Sequence, residues 1–582
     1  MNERSYDAYI IGSADPHQSE YVPEHWMARG WISGFTGSAG TALVTADHVG
    51  IWTDARYFLQ AEMQILDSEV VLHKLKVQAQ AEYLEWLGDI LKEGQVVACD
   101  FQCFSLNQIE MFDKILSVKN IQLKDSGDIL NDIWIDRPLL PTNSVFEHDI
   151  KYAGKSREEK LNSVKLEMTK KNAQWMLVPA LDEIAYILNL RGSDVACNPV
   201  FLAYLAIGQQ DSILFINPEK VNPEIQEHLK KAGVILMDYF EITEWVKNLP
   251  ADSKVLLDTT SLNAKLSMLL PQGSIIPAPS CIMHMKAQKN ETEIAHIRHA
   301  MAKDGAALVK SFMWLEDLLN RDETCSEYEF SQQLTHFRKL QEGYVGDSFD
   351  AIVGYQSNGA IIHYRPEKET AALIQMEGIL LVDSGGQYVD GTTDITRTIA
   401  LSPISDEIKK QYTAVLMGNM ALSSVKFPEG TKGIQLDILA RQYLWDMGLN
   451  FGHGTGHGVG FFMNVHEPPQ GFVTAWNQRG SAEMLPGMLT SNEPGFYKEG
   501  SHGIRIENLV LNVLDEKTDY GNFLRFDVLT VFPIDTRLID FEMFGQDFRE
   551  ELNAYHNKCY NQISPLLNEN ERSWLKEKCV AV

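Results

Sequence analysis

Four carboxylates and one imidazole stand out in the last third of this chain: Asp383, Asp394, His457, Glu493 and Glu507. Together they make a ligand set for two divalent metal ions. Oxygen donors with a single nitrogen and no thiolate suit a hard or borderline ion such as Mn²⁺ better than a thiolate-type zinc site. Asp383 ends the apolar run Gly378-Ile-Leu-Leu-Val-Asp383, which predicts a buried strand. Gly385-Gly386 follow as a turn signal. Asp394 lies in Gly391-Thr-Thr-Asp-Ile-Thr-Arg397, whose β character predicts a strand returning beside the first. His457 lies in Gly452-His-Gly-Thr-Gly-His-Gly-Val-Gly460, Glu493 follows Leu489-Thr-Ser-Asn492, and Glu507 closes Gly503-Ile-Arg-Ile-Glu507.

Taken singly, each residue has a plainer reading. Asp383 at a strand end caps a turn, and Asp394 is an exposed strand position. His453 and His457 have the spacing of a helical zinc pair. The alternating glycines oppose that helix, because each costs about 1 kcal/mol in a helix interior. The segment is better read as a Gly-rich strand or loop that permits close backbone approach. A phosphate-binding loop is disfavoured, since no Gly-Lys-Ser/Thr follows.

The elements that must position this set occupy 582 residues, enough for three or four domains. Ala8–Ile11, Thr41–Thr45, Val49–Asp54, Val70–His73 and Val96–Cys99 predict strands, with a turn at 46–48 and a helix from Glu82 to Leu91. After Arg137-Pro138 and Pro141, a plausible linker, the pattern repeats. Ser156 with Glu159 forms a capping box. Trp175–Val178, Ser212–Ile216, Val234–Met237 and Lys254–Asp258 then predict strands. Alternating strands and helices imply α/β layers, and the parallel order suggests a duplicated module. After Pro277-Ala-Pro279, Asn290 and Glu293 cap a long helix carrying Ile294, Ile297, Met301, Gly305, Leu308, Phe312 and Leu315. The division is 1–140, 141–285 and 286–582, with all five ligands in the last part.

The formal charge of −28, from 51 basic and 79 acidic residues, disfavours nucleic acid or an anionic membrane as partner. No apolar run reaches transmembrane length, and the N-terminus lacks the layout of a signal peptide. Seven scattered cysteines (99, 103, 197, 281, 325, 559 and 579) make no disulfide framework, and a reducing, cytoplasmic setting fits them best.

The combination is far more specific than its parts. Val382-Asp-Ser-Gly-Gly386, Thr393-Asp-Ile-Thr-Arg397, Gly454-Thr-Gly-His-Gly458, Asn492-Glu-Pro-Gly495 and Gly503-Ile-Arg-Ile-Glu507 resemble, in order, the pita-bread metallopeptidases. That family includes aminopeptidase P, prolidase and methionine aminopeptidase. Leu190-Arg-Gly-Ser-Asp-Val195 with Asn198-Pro-Val-Phe201 resembles the second domain of the long, three-domain cytosolic aminopeptidases P. Trp52-Thr-Asp-Ala-Arg-Tyr-Phe-Leu-Gln60 resembles their first domain, except that Ala55 stands where the family usually has Gly. The implied fold is two creatinase-N-like α/β domains followed by an α+β pita-bread catalytic domain.

The resemblance implies roles. Asp383 and Asp394 bind one metal, while Asp394, His457, Glu493 and Glu507 share in the second, with Asp394 and Glu507 bridging. The reaction implied is removal of the N-terminal residue from peptides with proline second, by a hydroxide that the metal pair activates. Glu493 is the candidate general base. His363, in Gly359-Ala-Ile-Ile-His-Tyr-Arg365, matches the family's proton-handling histidine, and His453 and His466 its two further substrate histidines. Arg56 matches a family residue that touches substrate. Arg505 is a substrate-side or ligand-bracing candidate, since strand periodicity puts it on the same face as Glu507. A homodimer is also implied. The nearest alternative is prolidase, which shares the five ligands but acts on dipeptides. A non-catalytic peptide-binding relative is the alternative from another class.

Overall fold

The strands of the first half assemble into two six-stranded sheets of one design. The first contains β1 (Ala8–Ile11), β2 (Thr41–Thr45), β3 (Val49–Thr53), β4 (Val71–Lys74), β5 (Val96–Cys99) and β6 (Gln122–Asp125), in the order β4-β3-β2-β1-β5-β6. The second contains β7 (Trp175–Val178), β8 (Tyr204–Gly208), β9 (Ser212–Phe215), β10 (Val234–Met237), β11 (Val255–Leu257) and β12 (Ile275–Pro277), in the order β10-β9-β8-β7-β11-β12. Strand directions also agree. The central strand of each sheet is antiparallel to the second, the second to the third, and the other pairs are parallel. The duplicated module expected from strand rhythm is therefore present.

This computed structural model describes residues 1–77 and 80–582, which divide into two compact units, Met1–Met283 and His284–Val582. Both sheets belong to the first unit. Main-chain bonds tie their modules together: Ala264 N donates to Phe104 O at 2.8 Å and Leu106 N to Leu262 O at 3.2 Å. His17 reaches from the first module to Pro179 O (2.9 Å) and the Tyr239 hydroxyl (2.8 Å) of the second. Ala55 sits in a turn closed by Tyr57 N on Asp54 O at 3.0 Å.

Local capping follows the sequence closely. Ser156 Oγ accepts from Glu159 N at 3.2 Å, and Glu159 returns the bond to Ser156 N at 2.7 Å. Some strand ends differ from expectation. β4 begins at Val71, β9 stops at Phe215, and Asp258 lies outside β11. Asp258 instead turns the chain by accepting from Thr260 N at 2.9 Å.

In the second unit, Asn290 and Glu293 cap α1 (Glu291–Leu319), which is followed by α2 (Glu327–Lys339). A three-stranded antiparallel sheet joins β13 (Ile352–Tyr355), β14 (Ile379–Ser384) and β15 (Ile395–Ala400), in that order. Helices α3 (Asp406–Ser424) and α4 (Gly433–Asp446) come next. Strand β16 (Lys426–Pro428) lies between these helices, and after α4 the chain runs through β17 (Gly456–Gly458), β18 (Glu467–Phe472), β19 (Leu489–Asn492), β20 (Gly495–Lys498), β21 (His502–Arg505), β22 (Asn508–Thr518) and β23 (Gly521–Val528). An antiparallel sheet orders six of these as β16-β23-β22-β19-β17-β18, and β20 with β21 forms a separate hairpin.

The turn expected at Gly385-Gly386 lies elsewhere. Gly386 opens a short strand, Gly386–Tyr388, paired with Gly391–Thr392. Gly385 is needed because a Cβ there would lie 1.9 Å from Thr393 O. The C-terminal stretch, which carries no legible motif, folds into α5 (Phe541–Ile563) and a last helix, Glu569–Lys578. Tyr555 of α5 accepts from Arg397 Nη2 at 2.7 Å, which fixes the helix to β15.

Candidate metal centre

Antiparallel pairing sets Asp383 on β14 opposite Thr396 on β15, and Asp394 stands just before β15. Glu507, between β21 and β22, joins them: its N–H donates to Thr396 O at 3.1 Å, and Thr396 Oγ1 donates to Glu507 Oε2 at 2.8 Å. His457 is the middle residue of β17, and Glu493 follows β19, with its N–H on Thr455 O at 2.8 Å. The glycines beside His457 let these strands close up. A Cβ on Gly456 would lie 1.8 Å from Ser491 O, and one on Gly458 2.2 Å from Glu467 O. The segment is thus a Gly-rich strand and not a helix.

Ligand atoms of Asp394, His457 and Glu507 all lie within 4.8 Å of one another. His457 Nε2 is 3.6 Å from Asp394 Oδ2 and 3.4 Å from Glu493 Oε1. Its Nδ1 is 3.0 Å from Gly458 O. A carbonyl only accepts, so Nδ1 carries a proton, and the neutral ring would leave Nε2 free to bind a cation among the carboxylates.

The electrostatics are those of a site short of positive charge. Burial holds the Asp394 carboxyl well above the usual range, and the charges of Asp383 and Glu493 add to this. Burial likewise raises Glu507, followed by Asp394, Asp383 and Glu493. Glu493 is pushed up to about 7, first by burial and then by Asp383, against the opposing pull of Arg505 and His466. Asp383 Oδ1 and Glu507 Oε1 are buried without a hydrogen-bond partner. Orphaned buried oxygens of this kind are rare and costly. Two divalent cations among these five side chains would satisfy both oxygens and neutralise the cluster, so the donor set fits such a pair.

Arg505 braces the cluster. Its Nη2 and Nε reach Asp383 Oδ2 at 2.7 and 3.2 Å, its Nε reaches Thr396 Oγ1 at 3.2 Å, and its Nη1 donates to the Tyr497 hydroxyl at 2.8 Å. Tyr497 in turn meets His453 Nε2 at 2.9 Å, while His453 Nδ1 is on Gly454 O at 2.8 Å. The His466 ring stands edge-on to His457, 4.2 Å between centroids. His363 is half-buried in a turn closed by Tyr364 N on Ile361 O at 3.0 Å. Arg56 belongs to the first unit, where it forms a bidentate pair with Asp54 at 2.7 and 2.8 Å.

Asp394, His457 and Glu507 thus come together, Glu493 approaches His457, and Asp383 lies on the neighbouring strand opposite Thr396. Apart from Arg505, the sequence reading did not single out their supports. Thr396 and Thr398 alternate with Asp394 along one strand face, and that period of two was a usable signal. Thr398 Oγ1 donates to Arg505 O at 3.0 Å. Tyr497 gave no signal. Nor did Asn419, which bonds Asn492 O at 2.7 Å and Ile506 O at 3.1 Å beside two ligands.

Comparison with known proteins agrees with this arrangement along the whole chain. Residues 1–133 and 136–293 each match the Creatinase/Prolidase N-terminal domain. Residues 295–512 match metallopeptidase family M24, and 522–582 match the C-terminal region of peptidase M24. The chain is 39% identical to Aminopeptidase P2 of Arabidopsis thaliana, covering 98% of this chain and 85% of that protein. The chain belongs to the aminopeptidase P family of metallopeptidases. Another relative in the family, Xaa-Pro aminopeptidase 1 of Dictyostelium discoideum, is 37% identical over 99% of this chain and 94% of its own. The crystal structure of X-prolyl aminopeptidase from Caenorhabditis elegans, described as a cytosolic enzyme with a di-nuclear active site, superposes with a TM-score of 0.95. It is 31% identical and covers 99% of this chain and 95% of its own. The Xaa-Pro dipeptidase from Bacillus anthracis, 23% identical with a TM-score of 0.51, covers 65% of this chain and 99% of its own, and shares the fold. Aminopeptidase P membership makes the chain a hydrolase with creatinase-type N-terminal domains and a pita-bread catalytic unit. Among the described residues, no helix is long and apolar enough to cross a membrane.

Proposed function

We propose that this chain removes the N-terminal residue from peptides whose second residue is proline, with two divalent metal ions, Mn²⁺ by preference. The observation that supports the reading is the cluster of buried Asp394 and Glu507 with His457, which Glu493 approaches at 3.4 Å, together with the orphaned buried oxygens of Asp383 and Glu507. Asp383 and Asp394 would hold one ion, Asp394, His457, Glu493 and Glu507 the other, and Asp394 and Glu507 would be shared. When bound, such a pair lowers the pKa of water and polarises a peptide carbonyl. The protein's own groups do the rest. Glu493 takes up and passes on a proton at its carboxylate oxygens. His363, His453 and His466 supply substrate-facing donors and handle protons. Arg505 orients Asp383, and Arg56 contributes to substrate binding.

Proline in the second position lacks an N–H and has a fixed φ. A site that requires neither the N–H nor a flexible backbone there accepts what general aminopeptidases reject. A cytoplasmic location is supported by seven free thiols and by the cytosolic description of the Caenorhabditis elegans enzyme. A homodimer rests on family resemblance. The test is turnover of Arg-Pro-Pro against Gly-Pro by metal-stripped protein with Mn²⁺, Co²⁺ or Zn²⁺ restored in turn. Release of arginine from the tripeptide, greatest with Mn²⁺, is expected. Activity confined to the dipeptide would make the chain a prolidase, and no metal uptake with no turnover would leave a binding protein.

A further inference from the structure

We propose that Glu327 is a positioning residue for the reaction: its buried carboxylate fixes the segment 355–372 that carries His363. The proposal rests on the reading of His363 as a proton-handling group. Glu327 is the first residue of α2 and is fully buried. Its Oε1 accepts from Tyr355 N at 2.7 Å and Asn358 Nδ2 at 3.0 Å. Its Oε2 accepts from Asn358 Nδ2 at 3.1 Å, the Tyr364 hydroxyl at 2.7 Å and Ala372 N at 2.8 Å. Glu327 N donates in turn to Ala372 O at 2.9 Å.

One carboxylate therefore grips the segment at its start, at its middle and at its end. Tyr364, the middle grip, is the neighbour of His363. All four partners are donors, and the α2 N-terminus adds its own partial positive charge. An ionised carboxylate matches that field. A neutral amide does not, because its NH₂ would face donors. The segment also abuts the metal-binding framework. A Cβ on Gly503 would lie 1.7 Å from Gly359 O, and Gly503 precedes Arg505 by two positions on β21. The segment is thus held by Glu327 and packed against the strand that leads to Arg505 and Glu507. Moving Glu327 shifts His363 relative to the ligands without touching a ligand.

The experiment is a double-mutant cycle on the full-length, metal-loaded protein with an Xaa-Pro-Xaa peptide. Glu327→Gln should lower kcat by about 10- to 100-fold and change KM by less than about 3-fold, with metal content unchanged. In a His363→Ala background the same substitution should cost less than about 3-fold, because the group it positions is gone. Tyr364→Phe removes one grip and should lower kcat by about 3- to 10-fold, again only while His363 is present. This second variant decides the matter if Glu327→Gln does not fold. Equal losses with and without His363 would overturn the proposal while leaving the aminopeptidase reading intact. Wild-type turnover by His363→Ala would overturn both the proposal and the role of His363. No turnover by the wild type on any Xaa-Pro-Xaa peptide would refute the functional reading itself.

Discussion

Stripping the metal should reverse the pH dependence of stability in the catalytic unit. Glu493 has its carboxyl pushed up to about 7, against an ordinary value of 4.5, and its side chain is 18% exposed. Between these two values the folded state holds a proton that the unfolded chain releases. Below 4.5 both states are protonated and burial of the group costs nothing extra. As the pH rises toward 7, folding keeps an ever larger penalty, so stability falls. With 1.36 kcal/mol per unit, moving from roughly pH 5.5 to 7.5 should cost about 2 kcal/mol through Glu493 alone. Asp394 and Glu507 shift in the same direction and add to the loss. In a unit of this size the Glu493 share corresponds to a melting point lower by about 4 °C. Scanning fluorimetry of chelator-stripped protein across that range, with stripped Glu493→Gln as reference, isolates the effect from the general charge of the chain. Metal-loaded protein should show the opposite slope, because the cations favour ionised ligands. Identical pH profiles for stripped wild type and stripped Glu493→Gln would refute the reasoning.

Asp394→Asn should lower turnover by at least about 100-fold, since it weakens a shared ligand. When stripped, it should melt no lower than the wild type, because burial already favours an uncharged group at this position; calorimetry and metal analysis check both. Arg505→Met leaves the buried Asp383 carboxylate without its cation and should destabilise by about 3 kcal/mol in urea unfolding. Gly503→Ala forces its new methyl against Gly359 O, 1.7 Å away, and should cost on the order of 3 kcal/mol by the same assay. It should also depress kcat, read from peptide turnover.

What the sequence disclosed was mostly local or strongly patterned. Capping at Ser156–Glu159 and Asn290–Glu293 depends on residues three apart, so it was legible as written. Strands such as Val96–Cys99 and Trp175–Val178 show as uninterrupted apolar runs. The five candidate ligands emerged as an ordered set of motifs rather than from any one residue. What stayed hidden depends on distant pairing. Arg505 meets Asp383 across 122 positions, and Asn419 supports Asn492 from 73 positions away. Glu327 looks like an ordinary acidic residue at a helix start, and only the return of 355–372 makes it a hub. The glycines at 385 and 386 misled because the residue that serves a turn also serves close contact. Only coordinates distinguish Gly385 packed on Thr393 O from a glycine that reverses the chain.

The repeated strand order has a consequence for its two copies of one loop. After its third strand, the first module places Arg56 on Asp54, with 17% of the arginine side chain still open to solvent. After the corresponding strand, the second module sends Lys220 inward to Asp194, both sealed at 1%. The same scaffold thus keeps one cation accessible and shuts the other away. Loss of the sealed cation would strand a buried anion and weaken the framework. Loss of the open one would leave the framework standing and register only where that arginine meets another molecule.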